Sequence, residues 1–63
     1  MNRGDREKFE ALRSRLIEDA NYQRELADRA AKDNEFREAI YNATADGIDR
    51  ARRELEKTLY NPY

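Results

Sequence analysis

The sequence contains no cysteine, no histidine and no tryptophan, and only one proline and two glycines. Without cysteine or histidine, the chain has no disulfide and no metal site built from thiolates or imidazoles. No apolar run approaches the ~18 residues that span a bilayer. The N-terminal residues 1–6 include charged side chains, but no apolar core of a signal peptide follows them. We therefore expect a cytoplasmic protein that does not bind membranes.

Residue types that carry catalysis are equally scarce. The only serine, Ser14, lies between two arginines, and no glycine-rich loop is present. Carboxylates are plentiful but dispersed among arginines and lysines, whereas acid–base catalysis needs a shielded pocket that shifts a pKa. The sequence predicts no catalytic residue, no metal ligand and no cofactor, and hence a protein that is not an enzyme.

With 63 residues, the chain has room for a single domain, residues 1–63. A chain this short buries only about 60% of the surface that its unfolded form exposes. Small scaffolds therefore need a disulfide, a metal or a second subunit for stability. Since the first two are excluded, we expect the protein to self-associate.

Apolar and small residues recur at steps of three and four, the spacing of one face of a helix. The first set predicts a helix near residues 5–31 and consists of Phe9, Leu12, Leu16, Ala20, Gln23, Leu26, Ala27, Ala30 and Ala31. The second set predicts a helix near residues 35–60 and consists of Phe36, Ile40, Ala43, Gly47, Ala51, Leu55, Thr58 and Leu59. No segment alternates with period two, so the fold class is all-α.

A polar segment separates the two sets. Asp33 and Asn34 disfavour a helix interior and favour helix caps, which predicts a turn at residues 32–34 and an antiparallel two-helix hairpin. Pro62 ends the second helix and leaves a short tail, residues 61–63. The alternative is one continuous helix of about 55 residues.

Folding the chain back at this turn predicts which residues face each other. Residues whose numbers sum to about 67 would meet, so that Ala20 faces Gly47 and Gln23 faces Thr44 as a polar layer. A glycine within a helix costs about 1 kcal/mol relative to alanine. We expect a close approach of the two helices at Gly47 to offset that cost.

The apolar stripe is too wide for a single contact between two helices. Large apolar side chains would remain in water on the hairpin's outer surface, and exposed apolar surface of that extent usually marks an interface. Two hairpins that form a four-helix bundle would bury it. The sequence therefore predicts a dimer or higher oligomer, with interface residues Ile17, Tyr22, Tyr41, Gly47 and Ile48.

Charge is unevenly distributed. Residues 1–15 and 50–57 each carry a net charge of +2, whereas residues 18–49 carry −5. The fold-back brings the first two segments together at an open end and leaves the acidic residues at the turn end. Arginines beside aromatic rings can bind phosphate and stack on a base, although the same residues can form an ordinary solvated surface. The candidate surface for a ligand or partner consists of Arg3, Arg6, Arg52, Arg53, Lys57, Tyr60 and Tyr63.

Three functions fit these features. The leading hypothesis is a homo-oligomeric adaptor or inhibitor that docks on a larger protein. The alternative is a binder of a signalling nucleotide or RNA, and the third hypothesis is a structural assembly component. Duplex DNA is not an expected partner because the chain has no basic surplus. In length and layout the hairpin resembles small plasmid and phage regulators in general outline, which implies an accessory or inhibitory factor in the host cytoplasm.

Overall fold

Two long helices form the fold. The computed structural model describes residues 2–60, and for Tyr60 it describes the backbone alone. Helix α1 spans Arg3–Ala30 and helix α2 spans Glu35–Tyr60. They pack against each other as a hairpin about 47 Å long, which confirms the all-α class; the predicted tail at 61–63 lies outside the described residues. Within residues 2–60, neither helix has a stretch long and apolar enough to cross a membrane.

Helix α1 begins two residues before its predicted start. The side chain of Asn2 accepts a hydrogen bond from the Asp5 amide at 2.8 Å, and the Asn2 carbonyl accepts one from the Arg6 amide at 3.0 Å. Asparagine is a strong N-cap because it pairs an amide that the first turn otherwise leaves unpaired. The cap therefore extends the helix beyond the apolar pattern from which its start was predicted.

The turn follows the polar segment that the sequence places there. Backbone amides of Asp33 and Asn34 both donate to the Ala30 carbonyl, at 3.0 and 2.7 Å. Asn34 then caps α2, since its side-chain oxygen accepts from the Arg37 amide at 3.1 Å. The hairpin is confirmed, and the alternative of one continuous helix is wrong.

The side of α1 that faces α2 matches most of the predicted stripe. The buried and half-buried residues recur at alternating steps of four and three, which is the spacing of a coiled-coil seam. The residues at these steps are Phe9, Arg13, Leu16, Ala20, Gln23, Ala27 and Ala30, and Ile17, Arg24 and Leu26 beside them are half-buried as well. Leu12 and Ala31, which were predicted to point inward, are exposed.

On α2 the predicted seam is confirmed at Leu55 and Leu59 and is wrong at its other positions. The row that faces α1 consists of Glu38, Tyr41, Ala45, Ile48, Arg52, Leu55 and Leu59. Gly47 is exposed, and a β-carbon added to it would meet no atom within 4 Å, so no helix crossing offsets its cost within the hairpin. Thr44 is exposed as well and donates to its own helix, at the Ile40 carbonyl, instead of facing Gln23. Because α2 is apolar on two sides, its spacing pattern fitted either side.

Candidate interaction surfaces

The core of the hairpin is small. Among the described residues, those buried from solvent are Ala20, Ala27, Ala45 and Leu59. Three of these four are alanines, whose short side chains let two helices approach closely but remove little apolar area from water. The hairpin therefore buries much less apolar surface than its composition could supply.

The missing apolar surface lies on the outside of α2. We call the row Phe36, Ile40, Ala43, Gly47 and Ala51 the uncharged stripe. All five residues are exposed, with 74% of Phe36 and 47% of Ile40 accessible to solvent. At 3.6 residues per turn the stripe lies roughly a third of a turn away from the row that faces α1. The structure thus places outside the hairpin the residues that the sequence analysis assigned to its interior.

The opposite edge of the hairpin is held by ion pairs between the helices. The Arg13 Nε donates to a Glu56 carboxylate oxygen at 2.8 Å, and the other oxygen of Glu56 accepts from Arg52 at 2.7 Å. Toward the turn, a guanidinium nitrogen of Arg24 donates to Asp49. These groups are only partly exposed, so water screens them less than it screens surface pairs. We call this row of charges the ion-paired edge.

Asp49 is the most shielded carboxylate of this edge, with 17% of its side chain accessible to solvent. The hydrogen bond from Arg24 holds the pKa of Asp49 below its ordinary value of 3.8, against an opposing effect of burial. The charges of Arg24, Arg52 and Arg53 lower the pKa further. Asp49 is thereby kept ionised, away from the range in which a carboxyl exchanges protons near neutral pH.

The five predicted interface residues are divided among different surroundings. Tyr41 and Ile48 are half-buried in the row that faces α1, and Ile17 is half-buried on α1. Tyr22 is 56% exposed, and Gly47 lies open on the uncharged stripe. The residues that the analysis missed as candidates for an outer surface are Phe36, Ile40, Ala43 and Ala51. The charges gave a usable signal, because only the observed seam brings Asp49 and Glu56 to arginines of α1.

Most of the basic residues at the open end are neutralised by neighbours. Ion pairs that involve them include Arg3–Glu7 at 3.2 Å, Arg6–Glu10 at 3.3 Å, Arg52–Asp49 at 3.7 Å, Arg52–Glu56 at 2.7 Å and Lys57–Glu54 at 3.1 Å. Arg53 has no ion pair among the described residues. Tyr63 and the side chain of Tyr60 lie outside what the structure describes. A phosphate that bound at this end would have to compete with the carboxylates already paired to these groups.

A shallow cleft of about 230 Å³ lies beside the turn, on the edge opposite the ion pairs. Its lining includes Leu26, the guanidinium-bearing Arg29 and Arg37, and Tyr41. Neither arginine forms an ion pair with another residue of the described segment. Asp33 also lines the cleft and would repel an anion, so the cleft fits a mixed polar and apolar contact better than a phosphate.

Within residues 2–60, no three carboxylates lie close enough together to form a metal site. The exposed features of the described residues are the uncharged stripe and the shallow cleft. Comparisons with models of protein families, with curated proteins and with solved structures find no match for this chain.

Proposed function

We propose that the chain is a non-catalytic interaction protein, which assembles as an oligomer and docks on a larger protein as an adaptor or inhibitor. The observation that supports this most strongly is the exposure of Phe36 and Ile40. Both side chains lie on a stripe without charge in a chain of which 43% is charged. Exposed apolar surface of this kind marks interaction sites.

The small core supports the oligomer in particular. Domains of this size bury too little surface to be more than marginally stable, and this one fills its seam largely with alanine. Docking a second hairpin on the uncharged stripe would add apolar burial without disturbing the ion-paired edge. The four helices would then form a bundle, in which each hairpin supplies one further apolar face.

A concentration series of thermal melts tests the oligomer. Folding coupled to association makes the melting temperature rise with protein concentration. Ile40→Glu should abolish that dependence because it places a charge on the stripe. Asn42→Glu is the matched control, since it adds the same charge two residues away on an exposed position off the stripe, and it should keep the dependence. A concentration-independent melt of the unaltered chain would contradict the oligomer.

Docking on a larger protein needs a second surface. Tyr22 of α1 is 56% exposed, and tyrosines of this kind often anchor protein interfaces. We expect Tyr22→Ala to remove binding to the larger partner while leaving self-association intact, with its exposed neighbour Asn21→Ala as the control. Co-purification from the source cells followed by mass spectrometry measures this. A partner retained equally by both variants would argue against Tyr22 as the docking residue.

A further inference from the structure

The uncharged stripe is graded in size along α2. Its turn-end half carries the large side chains of Phe36 and Ile40, and its other half carries the small residues Ala43, Gly47 and Ala51. If two copies of α2 met in parallel, large residues would face large ones and small residues would face gaps. If they met antiparallel, the large half of each copy would face the small half of the other. Interdigitated helix layers favour the second arrangement.

Charge favours the same direction. The segments at the open end, residues 1–15 and 50–57, each carry +2, and residues 18–49 carry −5. A parallel pair of hairpins would place the two basic ends side by side, whereas an antiparallel pair separates them. Like charges that lie next to each other destabilise an interface, so charge disfavours the parallel orientation.

We propose that the partner on the uncharged stripe is a second copy of this chain, which lies antiparallel to the first across a two-fold axis near Ala43. This inference rests on the proposed oligomer and adds the direction of the two chains and the position of the two-fold axis. A two-fold contact buries the same patch on both copies, and a stripe that is large at one end and small at the other complements itself when reversed. Gly47 of each copy then lies opposite the large half of the other stripe.

This arrangement gives Gly47 a role that the isolated hairpin does not. Within the hairpin, a side chain at this position meets no atom within 4 Å, and leucine is a better helix former than glycine. Gly47→Leu should therefore preserve or raise the helicity of a dilute sample. In the dimer the same leucine would crowd the second copy's large residues, and the dissociation constant should rise about tenfold or more. If no second copy covers the stripe, Gly47→Leu would preserve helicity in the dilute sample without raising the dissociation constant.

Disulfide trapping tests the direction, since the chain has no cysteine of its own. A disulfide requires the two α-carbons to lie within about 7 Å of each other. Ala43→Cys lies near the proposed axis and should form a covalent dimer under mild oxidation. Thr58→Cys is the matched control on the same exposed side of α2. Its two copies would lie about 45 Å apart in an antiparallel pair, at 1.5 Å per residue, and should not cross-link.

The outcomes distinguish a failure of the antiparallel arrangement from a failure of the proposed oligomer. Cross-linking at Ala43 without cross-linking at Thr58, together with the loss of affinity in Gly47→Leu, is the expected result. Efficient cross-linking at both positions would mean a parallel pair and would overturn the inference. Failure at Ala43 in a chain that still sediments as an oligomer would place the contact on another surface, leaving the proposed function intact. A stably folded monomer would overturn both.

Discussion

The two apolar rows of α2 are similar in spacing and different in their surroundings. The row that includes Tyr41, Ala45 and Ile48 packs on α1, and charged residues beside it meet opposite charges across the seam. The uncharged stripe carries the large side chains of Phe36 and Ile40 at its turn end, yet both are exposed to solvent. The comparison shows that apolar spacing identifies candidate faces, whereas opposite charges at the borders distinguish the face that is buried.

The largest effect should come from placing a carboxylate on each row in turn, which tests which row is buried. Ala45 is fully buried, so Ala45→Glu should destabilise the hairpin by about 3 kcal/mol or more, because an unpaired carboxylate would leave water. Ala43 is exposed on the stripe, so Ala43→Glu should change the stability of the isolated hairpin by no more than about 0.5 kcal/mol. Circular dichroism melts of dilute samples measure both.

Association should respond to the second variant instead. Ala43→Glu places two carboxylates near the proposed two-fold axis and should abolish the dimer while leaving the dilute hairpin helical. Loss of helix in Ala43→Glu, or its retention in Ala45→Glu, would mean that the two rows had been assigned the wrong way round.

The ion-paired edge can be tested with a smaller change. Glu56 accepts hydrogen bonds from Arg13 of the other helix and from Arg52 of its own. Glu56→Gln should lower the free energy of unfolding by about 0.5–1 kcal/mol, because the pair across the seam is partly shielded. Glu7→Gln removes a well-exposed pair within α1 and should change stability by less than about 0.5 kcal/mol. Equal effects in denaturant titrations would mean that the edge adds nothing beyond ordinary surface charge.

Acid should weaken the same edge. The pKa of Asp49 is lower in the folded chain than its ordinary value of 3.8, chiefly because of the hydrogen bond from Arg24. The unfolded chain therefore binds a proton more readily, so the stabilisation is complete above pH 3.8 and is lost as the pH falls through the lower folded pKa. Asp49→Asn should flatten the stability profile in that acidic window. An unchanged profile would contradict the role given to Arg24.

Much of the fold was predictable because its signals are local. The cap at Asn34 and the helix-disfavouring Asp33 placed the turn within a residue of where it lies. The apolar row of α1 was also predictable because that helix has a single dominant apolar side. The start of α1 was missed by two residues, since Asn2 caps it and a cap leaves no trace in apolar spacing.

The exposed apolar residues of α2 were harder to predict, because α2 has two apolar sides and either of them could pack on α1. Spacing alone assigned Gly47 to the seam and left Tyr41 and Ile48 outside, and the structure reverses that order. Pairing Arg13 and Arg24 with the acidic residues of α2 would have identified the correct side. Ion pairs within a single helix would not have helped, since such pairs form whichever side of α2 faces α1.

Sedimentation equilibrium of the unaltered chain at micromolar concentration tests the central claim most directly. The uncharged stripe should bring two copies together, giving a species of about 15 kDa from a chain of 7.5 kDa, and Ile40→Glu should return it to the mass of one chain while Asn42→Glu does not. A fully helical, stably folded species of 7.5 kDa in the unaltered protein would contradict the account.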